Sequence, residues 1–229
     1  MPTTIGRWLS LASIPAGVLL VLAWLIPVSF LLPYMSAPDV RAVAGPAGNL
    51  ALLNHWLTLG LAVLICVAFP AIAQAARGGW AAAIGATLYT LALFLIGVEN
   101  LFAIAAPSTP VPWHPLLAAV LSGTGAVLFG VGAYRAGVLP RGAAVLFAFI
   151  QPTGLFGVAG PFATTLLFGT DFGLASSTFL RMYGYLAMWG VAIAWAWLGY
   201  AAWRRPAQAT GSNRATASPP STRPEVRVP

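Results

Sequence analysis

Residues 88–107 read LYTLALFLIGVENLFAIAAP. A helix needs about 20 mostly apolar residues to cross the hydrocarbon of a bilayer, and this stretch supplies them, interrupted only by Glu99 and Asn100. Barrel strands would run about 10 residues with strict alternation of apolar and polar positions, and no such alternation is present. The stretch therefore belongs to a membrane-crossing helix. Segments of the same character flank it, so the spacing predicts six spans: Leu9–Leu32, Leu50–Ala73, Trp80–Ala106, Leu116–Ala133, Ala143–Phe168 and Phe179–Trp203. The expected fold is all-α, a polytopic membrane helical bundle over residues 1–205.

Composition agrees. Of 229 residues, 59% are hydrophobic and 7% charged, against about 25% charged in a soluble domain. The bilayer is the expected solvent and principal partner. All 11 basic residues are arginine and none is lysine, which with abundant Ala, Gly and Pro suggests a GC-rich bacterial genome. The net charge of +7 fits the enrichment of basic residues beside cytoplasmic helix ends, and no nucleic-acid partner is expected because phosphate tracking needs clustered charge on a solvated face. Cys66 is the single cysteine, which rules out an internal disulfide and a CxxC site.

Arg7, Arg77, Arg135, Arg141, Arg204 and Arg205 flank the spans on one side, and the loops of the other side hold Arg41, with Arg181 opening span six. Both termini are therefore expected in the cytoplasm of a bacterium, with the chain in its inner membrane. Trp8, Trp80 and Trp203 then fall at the inner interface, and Tyr34, Trp56 and Trp113 near the outer one. The first span is too long for the apolar region of a cleaved leader, and Ala42-Val43-Ala44 lies well beyond its end. Residues 206–229 carry five prolines with Ser, Thr and arginines and no apolar periodicity, so a disordered cytoplasmic tail is expected.

Between spans four and five runs Arg135-Ala-Gly-Val-Leu-Pro140-Arg141. Gly137 suits the end of one helix and Pro140 the start of the next. This R-x-G-x-L-P-R turn, in a six-span chain of this length, resembles a family of bacterial integral membrane proteins without an assigned activity. The resemblance implies a fold and carries no catalytic residues. The similar His-to-Arg spacings of spans two and four would suit a repeat of hairpins, although an arginine at each cytoplasmic end produces the same pattern.

In lipid, helices associate through small residues that let backbones approach. Ala118, Ser122, Ala126 and Gly130 form such a face on span four, open to a protein partner or a second copy of the chain, and Ala82, Ala86, Thr90 and Gly97 form a stripe that Asn100 continues on span three. Prolines 15, 27, 152 and 161 permit kinks by freeing carbonyls. Gln151, beside Pro152, falls about 12 Å from the inner end of span five.

The polar residues converge on the outer leaflet. Span three runs outward and places Glu99 about 10 Å from its outer end; span two runs inward and places His55 about 8 Å from its own. Asn54 adjoins His55, while Arg181, Tyr183 and Tyr185 enter span six from the same side. Ionisable groups in a membrane pair with one another or line a wet cavity, so Glu99 is expected to pair with Arg181. The candidate binding or ion-coupling residues are His55, Glu99, Asn100 and Arg181, with Asn54, Gln151, Tyr183 and Tyr185 behind them. Two readings follow: an outward-facing pocket for a small molecule or ion, or an accessory subunit whose polar residues only lock helices.

Enzymatic readings are weaker. The two histidines, His55 and His114, are not placed to face each other across a haem, and no HxxxH or ExxH spacing supports a metal. Ser122 and Cys66 read as packing residues. Glu99 is the one carboxylate inside a span, and no nucleotide-binding glycine motif is present. No catalytic residue and no cofactor is expected.

Overall fold

A computed structural model describes residues 4–26, 46–105, 114–153 and 174–205, with side chains on the fifth and last helices from residues 117 and 186 onward. The helices are α1 (Thr4–Ser10), α2 (Ser13–Ile26), α3 (Pro46–Ala76), α4 (Gly79–Ala105), α5 (His114–Ala136), α6 (141–153) and α7 (Leu174–Trp203). No strand occurs among the described residues. Among the described residues, five helical segments are long and apolar enough to cross a membrane: Thr4–Ala23, Asn49–Ala76, Gly79–Ala105, Leu117–Ala136 and Leu186–Trp203. The expected span Ala143–Phe168 is helical through residue 153, and its remainder lies outside the described residues, as does the tail from 206 onward.

The first span is not one helix with a kink at Pro15, as expected, but two helices separated at Leu11–Ala12. Proline has no N–H, and its ring collides with the carbonyl four residues earlier, here that of Leu11. The chain tightens to three-residue hydrogen bonds at this point: Leu11 N–H donates to Trp8 O at 3.1 Å, and Ile14 N–H to Leu11 O at 3.0 Å. Ser13 Oγ donates to the Ser10 carbonyl at 2.8 Å and satisfies one acceptor that the break exposes.

Short turns join the next helices. Arg77 adopts φ 51° and Gly79 φ 65° between α3 and α4. Gly137 at φ 62° closes α5, donating to the Ala133 and Tyr134 carbonyls, and the Pro140 carbonyl accepts from Ala144 N–H to start α6. This is the arrangement expected for the R-x-G-x-L-P-R turn.

The helices close into a ring. α4 packs most extensively on α5, α3 on α4, and α2 on both α3 and α7. α6 touches α5 through Ala144 and Ala148 at Gly130, and α7 through Ile150 at Gly190. Gly85 and Gly125 form the tightest α4–α5 crossing. A Cβ on Gly125 would lie 2.6 Å from Tyr89 N and 2.7 Å from Gly85 O, and one on Gly85 would strike Phe129 N. The small face expected on span four is thus buried by the chain's own helices, with Ala118, Ser122, Ala126 and Gly130 all buried. Large apolar side chains such as Phe94, Phe102, Phe149 and Ile193 point outward instead, an outer surface compatible with lipid.

Each helix from α3 to α7 sends one ring to the centre. Phe69 lies 4.7 Å from Tyr89, 4.8 Å from Phe129 and 5.4 Å from Phe147, and Tyr89 meets Trp195 edge-on at 6.4 Å. Tilted and edge-to-face pairs of this kind are the favoured aromatic geometries.

Arginines gather at one end. Arg7 Nε and Nη2 donate to the Trp203 carbonyl at 3.0 and 2.9 Å, and Arg205 Nη1 to the Ala75 carbonyl at 3.5 Å. Trp8 and Trp203 meet beside them at a 58° tilt, ring centres 6.0 Å apart. Partial burial, reinforced by the Arg77 charge, holds the Arg205 guanidinium below its ordinary value.

Candidate functional site

α3 and α4 are antiparallel neighbours joined by the turn at 77–78, so residues equally far from that turn meet at one height. His55 and Asn100 each lie about 31 Å along their helices from it, at 1.5 Å per residue, and they do meet. His55 Nδ1 and Asn100 Oδ1 are 2.8 Å apart. Asn100 Nδ2 donates to the Ile96 carbonyl at 2.7 Å, which fixes the amide so that its oxygen faces the imidazole. An amide oxygen only accepts, so the hydrogen of neutral His55 resides on Nδ1 and the Nε2 lone pair remains for a proton or ligand. The bond holds the ring in one orientation.

Asn54 adds an acceptor to this layer. Its Oδ1 is buried without a hydrogen-bond partner, while its backbone carbonyl accepts from Thr58 Oγ1 at 2.8 Å. A buried, unpaired polar atom is uncommon and costs roughly 1–3 kcal/mol, so its presence marks a place where something polar belongs. Glu99 is half-buried next to Asn100, itself buried, as the 100° step between consecutive helical residues requires. The four residues His55, Asn54, Glu99 and Asn100 occupy one end of the α3–α4 pair, opposite the arginines. Arg181, Tyr183 and Tyr185 lie on α7, but their side chains, and with them the expected Glu99–Arg181 pair, are outside the described residues, as are His114's side chain and Asp171.

Gln151 does not join this layer. It is buried near the middle of the bundle, where its Oε1 accepts from Tyr89 Oη at 3.2 Å. Trp195 Nε1 donates to the same Tyr89 oxygen at 3.0 Å. One hydroxyl thus donates once and accepts once, linking α4, α6 and α7 inside the aromatic core. The sequence reading missed Tyr89 and Trp195. The available signal was a tyrosine ten residues inside α4, too deep for an interfacial ring.

Several other polar side chains donate to backbone carbonyls. Ser122 Oγ donates back to Ala118 O at 2.7 Å, Thr153 Oγ1 to Phe149 O at 2.9 Å, and Cys66 Sγ to Thr90 O at 3.6 Å. Cys66 also lines a cleft of about 530 Å³ between α3 and α4 with Pro70, Thr90 and Phe94. No group of three or more His, Cys, Asp or Glu side chains that could hold a metal occurs among the described residues. Comparisons with family models, curated proteins and solved structures return no match for the chain.

Proposed function

We propose that the chain is a multi-pass protein of a bacterial inner membrane, with its arginine end and both termini in the cytoplasm, that binds and moves a small hydrogen-bond-donating solute or cation through the polar layer at the opposite end. The observation that carries this reading is the buried, unpartnered Asn54 Oδ1 beside a histidine whose Nε2 lone pair is left available by the His55–Asn100 bond. Both groups accept rather than donate, so the complementary ligand brings N–H or O–H groups or positive charge. His55 is the proton-exchanging group, Glu99 supplies negative charge, and Arg181 is its counter-charge.

The test is flux into proteoliposomes loaded with a pH-sensitive dye, under an imposed proton or potassium gradient, for the wild type, His55→Asn and Glu99→Gln. Flux lost in both folded variants supports the reading. Wild-type flux unaffected by either substitution removes these residues from it.

A second reading has its own support. Buried Ser10, Ser13, Ser122 and Gln151 all spend their hydrogen bonds inside the chain, as residues that only lock helices would. An accessory membrane subunit of this kind would show no flux in the wild type and would copurify with a partner in mild detergent.

A further inference from the structure

Of the charged residues described, one carries a negative charge: Glu99, which lies about 30 Å from the α3–α4 turn. The opposite end holds Arg7, Arg77, Arg135, Arg141, Arg204 and Arg205 with no carboxylate among the described residues. Arg7 and Arg205 donate to backbone carbonyls, but a carbonyl neutralises no charge. This end is therefore strongly basic and complementary to an anionic surface.

One place at that end also has a shaped apolar seat. A cleft of about 540 Å³ runs between α5 and α6, walled by Val127, Val131, Val145 and Phe149, and Arg135 with Tyr134 lines its arginine end. Arg141 folds back over the turn, its Cζ 5.6 Å from the centre of the Tyr134 ring and its Nη2 3.7 Å from where a Gly137 Cβ would stand. The N-terminus of α6 opens beside it, with the positive end of its helix dipole. One guanidinium, that of Arg135, thus lines the apolar groove, and a second, that of Arg141, lies over the ring of Tyr134, which lines it too.

We propose that this groove seats one anionic phospholipid, its phosphate held by Arg135 and Arg141 and an acyl chain lying along Val131, Val145 and Phe149. Basic pockets at the ends of membrane helices select anionic headgroups in this way. The groove adds what a bare arginine lacks, a contact for the chain that distinguishes a bound lipid from the surrounding annulus.

The experiment is native mass spectrometry of the full chain, released from detergent containing phosphatidylglycerol or phosphatidylcholine with matched acyl chains. The wild type is expected to retain one phosphatidylglycerol in preference to phosphatidylcholine. Arg135→Gln with Arg141→Gln should reduce that preference roughly 25-fold, about fivefold for each arginine. Val145→Trp, which fills the groove from an exposed position and keeps both charges, should also reduce retention. Arg204→Gln, at the same end but outside the groove lining, should leave it unchanged. The proposal is overturned if the wild type holds both lipids equally, if Arg204→Gln costs as much as the paired variant, or if Val145→Trp, folded by circular dichroism, binds phosphatidylglycerol as the wild type does.

Discussion

Replacing Gly125 with alanine tests whether the α4–α5 crossing sets the geometry of the bundle. The new methyl would stand 2.6 Å from Tyr89 N, 2.7 Å from Gly85 O and 3.0 Å from Tyr89 Cα. All three are backbone atoms and cannot rotate away. Ordinary carbon contacts lie at about 3.5–4.0 Å, so α4 and α5 must separate by about 1 Å, enough to forfeit a quarter to a half of each dispersion contact along the seam. Overpacking of this kind costs roughly 1–3 kcal/mol, and the better helix propensity of alanine returns at most about 1 kcal/mol. A net loss of up to about 2 kcal/mol is expected. Gly60→Ala is the matched control, because its methyl meets only Leu19 Cδ1, at 3.3 Å, the movable end of a side chain. It should be neutral or slightly stabilising. Reversible unfolding in mixed detergent and dodecyl sulfate micelles, followed by helical circular dichroism, measures both. Equal stability of the two variants would refute the claim that backbone contact at Gly125 is limiting.

Three further outcomes are expected. Tyr89→Phe strands both Trp195 Nε1 and Gln151 Oε1 in the core and should cost about 1–2 kcal/mol, with altered tryptophan fluorescence; adding Gln151→Leu should cost less than the sum of the two single changes. Arg7→Ala removes both hydrogen bonds to the Trp203 carbonyl and should fray the end of α7, visible as faster amide exchange over residues 200–205 and a stability loss of about 1 kcal/mol. Residue 77 is a non-glycine position held at φ 51°, so Arg77→Gly should be more stable than Arg77→Ala by about 1 kcal/mol in the same unfolding assay.

The helical class and the shared height of His55 and Asn100 were legible because both follow from counting. Twenty apolar residues make a span, and a constant rise puts His55 and Asn100 at one height once their helices run in opposite directions. The small face of α5 was half legible. Residues four apart advance 400°, so Ala118, Ser122, Ala126 and Gly130 drift about 40° per step and cross from one neighbour to another: Gly125 meets α4, whereas Gly130 meets α6. Tyr89 was not legible as a hub, since its bonds to Trp195 and Gln151 span 106 and 62 residues. No periodicity reports contacts at such separations. The break at Leu11–Ala12 was displaced from its cause, because Pro15 acts on the carbonyl four residues behind it.

The clasp between the first and last helices bears on how the protein is made. Ser10 Oγ donates to Gly199 O, Arg7 to Trp203 O, and Gly17 lies against the Ala192 backbone, so the partners of the first helices lie on α7 and emerge from the ribosome long after them. Among the described helices, α1 and α2 pack chiefly on α3 and α7, so until α7 arrives one flank of the nascent bundle stays open. Docking of α7 onto α1 and α2 closes the ring. A chain stopped before Gly199 keeps the earlier helices and loses the bonds from Ser10 and Arg7, so truncation inside α7 is expected to leave the first two helices without their clasp.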